Sequence, residues 1–139
     1  RVEASLKIKP KTQSLAIIDI DHFKKVNDTF GHDCGDYTLK ELAKLVAEFF
    51  SDYTAARFGG EEFCVYFANT APEQVRKIIE NFRKAIENKR LVFEKQNVSC
   101  TVSVGLTHKR KGGINAMLRA ADENLYSAKN GGRNQVVED

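Results

Sequence analysis

The stretch Leu15-Ala16-Ile17-Ile18-Asp19-Ile20-Asp21, LAIIDID, decides the architecture. Five of its seven residues are apolar, and polar residues flank it. That pattern suits a strand buried on both faces, in the middle of a sheet. Its polar residues are two carboxylates at the C-terminal end, where a buried charge needs a reason.

Outward from that strand, HFKKVNDTF (22–30) reads as a short helix with Asp21 placed to cap it, and Gly31 breaks the chain. From Asp36 to Phe50, Leu39, Leu42, Ala43, Leu45, Val46, Phe49 and Phe50 keep helical spacing. RFGGEEF (57–63) then places Gly59 and Gly60 between two strands, the second being FCVYFA, and paired glycines predict positive φ angles at a hairpin turn. Pro72 opens a helix whose buried stripe is Val75, Ile78, Ile79, Phe82, Ala85 and Ile86. VSCTVSVGL (98–106) alternates Val98, Cys100, Val102 and Val104 against Ser99, Thr101 and Ser103, as a strand packed on one side would. A last helix follows Gly112 and Gly113, carries Ile114, Met117, Leu118, Ala121 and Leu125 on its core face, and ends at Gly131 and Gly132. QVV makes a short final strand. The order β, short α, α, β-hairpin, α, β, α, β predicts an α+β fold: a largely antiparallel central sheet flanked by helices.

At 139 residues the chain is expected to be one domain with a proper core. A formal charge of +3 is too small to argue for nucleic acid or a membrane surface. The basic clusters Lys7, Lys9, Lys11 and Lys109, Arg110, Lys111 read as solvated loop charge. No apolar run approaches the ~18 residues of a membrane span, and no secretory leader is expected. The three cysteines, Cys34, Cys64 and Cys100, are odd in number and not closely paired, which fits reduced thiols in the cytoplasm. Cys64 and Cys100 read as small core residues, and His22, His32 and His108 are too scattered for a zinc site.

Asp19 ends an apolar strand. If the hairpin lies beside that strand, Asp19 faces Glu61 and Glu62. Either feature alone is more simply a helix cap or a solvated hairpin rim. Together, three converging carboxylates call for a divalent cation, and oxygen-only ligands favour Mg2+ or Mn2+ over zinc. Magnesium is commonly shared with substrate phosphates, and bare glycines let backbone N–H groups approach phosphate oxygens.

Asp19-Ile20-Asp21-His22-Phe23-Lys24, Asn27-Asp28, Gly31-His32 and Gly35-Asp36 resemble the pattern D-x-D-x-F-K-x-x-N-D-x-x-G-H-x-x-G-D of the GGDEF family of diguanylate cyclases. Gly59-Gly60-Glu61-Glu62-Phe63 matches its signature in the GGEEF form, and Ala128-Lys129 with Gly132-Arg133-Asn134 supplies a third match. The resemblance covers nearly the whole chain. It implies a fold similar to the polymerase palm and class III nucleotide cyclases. It also implies condensation of two GTP into cyclic di-GMP with release of two pyrophosphates, across a homodimer. Asp19, Glu61, Glu62 and the main-chain carbonyl of Ile20 would hold two Mg2+ (or Mn2+) ions per site. Glu61 is the family's proposed base. Asn27 and Asp36 would read guanine, and Lys24, Lys129 and Arg133 would hold phosphates. Phe23, Gly59 and Gly60 would shape the pocket. His32 is expected to fix a loop, Asp28 to organise a turn, Phe58 to be core or pocket wall, and Lys25 to be a surface charge.

Two departures from the family matter. The inhibitory Arg-x-x-Asp pattern is replaced by Phe50 and Tyr53, implying no strong feedback inhibition through that site. Of the usual opening segment D-x-L-T-G-L-x-N-R only Arg1 could remain, so residues 1–139 are expected to be one domain, N-terminally truncated, cut from a longer protein with an upstream sensory or receiver domain. The full-length protein could be membrane-anchored, while this domain is expected to be cytoplasmic. The competing function is a degenerate module that binds GTP or cyclic di-GMP without turnover. A cyclase for adenine nucleotides is disfavoured by Asp36, and a template-dependent polymerase by the chain's length.

Overall fold

The computed structural model describes residues 12–108 and 111–139. Arg1, Lys7, Lys9, Lys11, Lys109 and Arg110 lie outside the described residues, and Lys111 is exposed. The elements run β1 (Gln13–Ile20), α1 (Phe23–Phe30), α2 (His32–Phe49), β2 (Thr54–Arg57), β3 (Glu62–Ala68), α3 (Pro72–Asn88), β4 (Leu91–Phe93), β5 (Gln96–Val98), β6 (Val102–Thr107), α4 (Gly113–Asn130) and β7 (Val136–Glu138). The main sheet has the order β2-β3-β1-β6-β7, antiparallel except for the parallel pair β6–β7. The LAIIDID strand is therefore central, with the signature hairpin on one side and β6 on the other.

Strand alternation sorts β1 between two cores. Ala16, Ile18 and Ile20 pack with Phe63, Val65, Val102, Val104 and Leu106 under the apolar stripes of α2 and α3. Phe50, Phe67 and Phe82 interlock there edge to face or tilted, with centroids 5.0–5.9 Å apart. Leu15 and Ile17 face the other way, onto Met117, Ala121 and Leu125 of α4. Phe50 is buried in the first core and Tyr53 stacks on Phe67, so the positions where the family places an inhibitory site serve packing here.

Several expectations are corrected. The 98–106 run is not one strand packed on one side: it breaks at 99–101, and all six residues of β6 are buried, because α4 covers the face that the serines were expected to expose to water. Helix α2 starts at His32 instead of Asp36, so exposed His32 belongs to a helix and not to a loop. Ala43, Ile114 and Phe58 are exposed rather than core. Asp21 does not cap α1: the cap position is His22, in the left-handed region at φ 56°, with no side-chain cap bond. A small hairpin, β4–β5, lies outside the elements that the sequence pattern predicts. Its turn places Glu94 and Lys95 at positive φ, and Glu-Lys carries none of the usual Asn-Gly signal.

Candidate active site

The site grows from the seam between β1 and α4. Met117, Ala121 and Leu125 step along the helix at intervals of four, and the next step is Lys129; Leu15 and Ile17 step along the strand, and the next is Asp19. An apolar contact line thus ends in a charge pair, in which Lys129 Nζ donates to Asp19 Oδ2. Asp19 sits directly opposite Glu62 on β3 and Ser103 on β6, and facing residues of an antiparallel pair share one side of the sheet. Glu61 precedes β3, and its carbonyl accepts the N–H of Ile20 at 3.3 Å.

The two aspartates at the strand end are physically different. Both Asp21 oxygens are filled: Oδ1 accepts from Ser103 Oγ at 2.6 Å, and Oδ2 from Thr101 Oγ1 at 2.6 Å and Asn134 N–H at 3.0 Å. Asp19 is just as buried, yet its Oδ1 has no hydrogen-bond partner. A buried, unfilled carboxylate oxygen is costly and calls for an explanation. Asp21 is a structural staple; Asp19 has unused capacity.

The neighbours register that charge. Burial, and then the charge of Asp19, push Glu61 above its ordinary carboxylate range, with Lys129 pulling it partly back. Glu62 is raised for the same reasons, with Asp122 and Glu61 adding to the effect. Burial alone would lower the Lys129 ammonium, but its contact with Asp19 and the charges of Asp19, Glu62 and Glu61 together raise it. Excess negative charge beside an orphaned oxygen suits a divalent cation, and the donor set is all oxygen. Among the described residues no three His, Cys, Asp or Glu side chains are gathered to hold an ion unaided. Backbone, water or substrate oxygens would have to complete the shell, as magnesium commonly requires.

The signature turn is not built on positive φ. Neither Gly59 nor Gly60 lies in the left-handed region, correcting that expectation. A Cβ on Gly60 would meet nothing within 4 Å, and one on Gly59 would meet only Glu62 Oε1 at 3.9 Å. The protein itself therefore leaves open space at both glycines. Arg57, which the sequence did not single out, folds back so that its Nε donates to the carbonyls of Gly59 at 3.3 Å and Gly60 at 3.1 Å. Phe58 N–H donates to the Glu62 carbonyl at 2.7 Å, closing the turn.

Phe23 and Asn27, both half-buried, lie where α1 meets α2. Gly35 makes that meeting possible: a Cβ there would stand 1.8 Å from Asn27 Oδ1 and 3.2 Å from Phe23 Cζ. Asp36 is the next residue and is exposed. Lys24 is also exposed, and pairs with Asp28 at 3.0 Å across one helical turn. Arg133 is exposed in the turn after α4, at φ 64°. The structure thus joins Asp19, Glu61, Glu62 and Lys129 into one charged cluster and Phe23 and Asn27 into one seam; no contact ties Lys24 to that cluster. Cys100 is buried, with its thiol pushed up to about 11 by burial and the charge of Asp21, which fits a core residue and not a nucleophile. No helix among the described residues is long and apolar enough to cross a membrane.

Comparison with known proteins gives one consistent result. The family model described as "Diguanylate cyclase, GGDEF domain" matches residues 2–135. Diguanylate cyclase A of Treponema denticola is 37% identical over 132 residues, covering 93% of this chain and 36% of that protein. The response regulator PleD of Caulobacter vibrioides is 40% identical over 129 residues, 89% of this chain and 28% of that protein. The chain therefore spans about a third of the length of these curated relatives. Among solved structures, the GGDEF domain of DgcB from Caulobacter crescentus, in complex with c-di-GMP, superposes with a TM-score of 0.87 at 35% identity, covering 91% of this chain and 77% of that one. The active GGEEF domain of a diguanylate cyclase from Vibrio cholerae gives 0.84 at 36% identity, covering 99% and 87%. With motif, sheet order and comparisons in agreement, the chain belongs to the diguanylate cyclase GGDEF-domain family.

Proposed function

We propose that this chain is the catalytic domain of a longer diguanylate cyclase, working on the cytoplasmic side and controlled by an upstream sensory or receiver domain. It condenses two GTP into cyclic di-GMP when two copies meet face to face. The observation that carries the reading is Asp19: a buried carboxylate with an orphaned oxygen, set opposite Glu62 and beside Glu61.

In each condensation a 3′-hydroxyl oxygen attacks the α-phosphorus of the other GTP, and pyrophosphate leaves. Glu61, beside Asp19 at the strand end, is the group placed to accept the hydroxyl proton. Lys129, Arg133 and Lys24 offset charge on the departing phosphates; Lys24 must leave Asp28 to do so, a small cost for an exposed pair. Gly60, with open space around its backbone, lets a phosphate oxygen approach closely, and Gly59 shapes the same turn. Asp36 can accept from guanine N1–H and the 2-amino group, Asn27 bonds the same edge, and Phe23 walls the pocket. Two divalent cations, Mg2+ or Mn2+, bound by Asp19, Glu61, Glu62 and the Ile20 carbonyl, would supply charge neutralisation along the triphosphate and a more acidic attacking hydroxyl. Proximity in the dimer would set the rate.

The test is incubation with GTP and Mg2+, products resolved by chromatography, using the chain alone and fused to a dimerising helix. Cyclic di-GMP is expected from the fusion and is expected to vanish in Glu61→Ala. A fused dimer that binds GTP but releases no cyclic dinucleotide would replace this reading with a binding module.

Gly35→Ala probes the base pocket. Alanine favours the helix by up to ~1 kcal/mol, but its methyl forces Asn27 out of the seam. The melting temperature is expected to stay within a few degrees, while affinity for GTP falls about tenfold, or ~1.4 kcal/mol, by calorimetric titration. Unchanged affinity would remove Asn27 from the pocket.

A further inference from the structure

Arg133 and Asn134 are successive non-glycine residues in the left-handed region, at φ 64° and 47°. Such backbone is rare outside glycine and persists only where surroundings over-determine it. Here three elements do so. The end of α4 supplies Ala128 O, which accepts Arg133 N–H at 2.9 Å. The end of β1 supplies Asp21, which accepts Asn134 N–H at 3.0 Å. Helix α3 supplies the rest: Arg83 Nη1 donates to Asn134 Oδ1 at 2.7 Å, and Asn134 Nδ2 donates to Glu87 Oε2 at 2.9 Å. Arg83 is itself aimed by Glu80, whose two oxygens accept from its Nε at 3.0 Å and Nη2 at 2.7 Å. Its side chain is only 11% exposed. A guanidinium this buried, clamped bidentately by Glu80 and dividing its Nη1 between Asn134 and Glu87 Oε1 at 3.3 Å, is built for geometry more than for solvation.

We propose that Arg83 is a positioning residue. Acting through Asn134, it locks the turn that follows α4, and so fixes where Arg133 leaves the backbone relative to Lys129, one turn earlier. It touches no substrate. The proposal rests on the assignment of Lys129 and Arg133 to the β- and γ-phosphates. Loss of Arg83 should therefore weaken a triphosphate selectively, leaving a ligand without those phosphates unaffected.

The test is calorimetric titration of the chain with 3′-deoxy-GTP, which lacks the attacking hydroxyl, and with GMP, both with Mg2+. Arg83→Gln is expected to bind 3′-deoxy-GTP about tenfold more weakly and GMP within about twofold of wild type. Asn134→Ala should match it, and the double variant should lose no more than either alone, as expected of residues acting in one chain of contacts. Arg83→Lys, which keeps charge and one donor to Asn134, should recover to within about threefold. If Arg83→Gln lowers the melting temperature but leaves the ratio of the two affinities unchanged, the residue is only a structural tie and the proposal falls. If wild type itself fails to prefer the triphosphate, the phosphate assignment falls first, and this proposal with it.

Discussion

An Asp19→Asn chain is expected to melt within about 3 °C of wild type and to lose cyclic di-GMP formation by more than about a thousandfold, a decoupling that only a functional carboxylate would produce. The stability half needs an argument, because removing one partner of a buried ion pair normally costs ~3–5 kcal/mol. That cost comes from the charge left behind, and Lys129 would not be left alone. It is about a third exposed, and Glu61 and Glu62 already act on it. Asparagine also removes the repulsion that Asp19 exerts on both glutamates. Loss and relief are of similar size. The activity half follows from charge: an amide is a poor partner for a divalent cation, and the exchange removes one of the three negative charges at the strand end.

Two melting series sharpen this. Burial, and then the charge of Asp19, raise Glu61 and Glu62 in the folded state. Between their ordinary and raised values the folded chain holds more protons than the unfolded one, so stability falls as pH rises through that window. Removing Asp19 takes away the second cause and should flatten that slope. At neutral pH, millimolar Mg2+ should raise the wild-type melting temperature through preferential binding to the folded state, and leave Asp19→Asn unmoved. If the asparagine variant kept a tenth of the product, or kept the Mg2+ response, Asp19 would not be the anchor of the site.

What could be read from the chain alone follows the reach of each signal. LAIIDID announced a central strand because burial on both faces leaves a continuous apolar run, and the helices announced themselves by period. The polar residues were harder. Asp19 and Asp21 look alike in sequence, each an aspartate at the end of an apolar strand. What separates them is Thr101, Ser103 and Asn134, lying 80 to 113 residues downstream, and all three serve Asp21. Ser103 misled for the same reason. A serine in an alternating strand reads as a solvent face until its hydroxyl is seen to serve a buried carboxylate. Arg57 was silent because its partners are carbonyl oxygens of the glycines beside it, and carbonyls carry no sequence signature. The carboxylate cluster is legible through the resemblance and through the coincidence of Asp19 with the Glu61-Glu62 pair, and the strand register sets Asp19 against Glu62.

Gly105 gives the second large effect, and in sequence it too is only one letter in VSVGL. It pairs with Ile17 across the sheet and lies under α4, where an added Cβ would stand 2.0 Å from the carbonyl oxygen of Ala121 and 2.3 Å from the backbone nitrogen of Leu125. Both are backbone atoms, so no rotamer change relieves the clash; the helix must move away from the strand. That would open the contact of Leu15 and Ile17 with Met117, Ala121 and Leu125, and stretch the Asp19–Lys129 pair at its end. Overpacking typically costs ~1–3 kcal/mol, and more where the neighbours cannot yield. Gly105→Ala is therefore expected at or above the upper end of that range, with a fall in melting temperature on the order of 10–15 °C by circular dichroism. Because the obstacle is a carbonyl, Ala121→Gly should fail to rescue it, whereas a side-chain clash would be rescued. A Gly105→Ala chain melting within about 3 °C of wild type would show that α4 can ride higher on the sheet. The close seam that sets Lys129 on Asp19 would then owe nothing to this glycine.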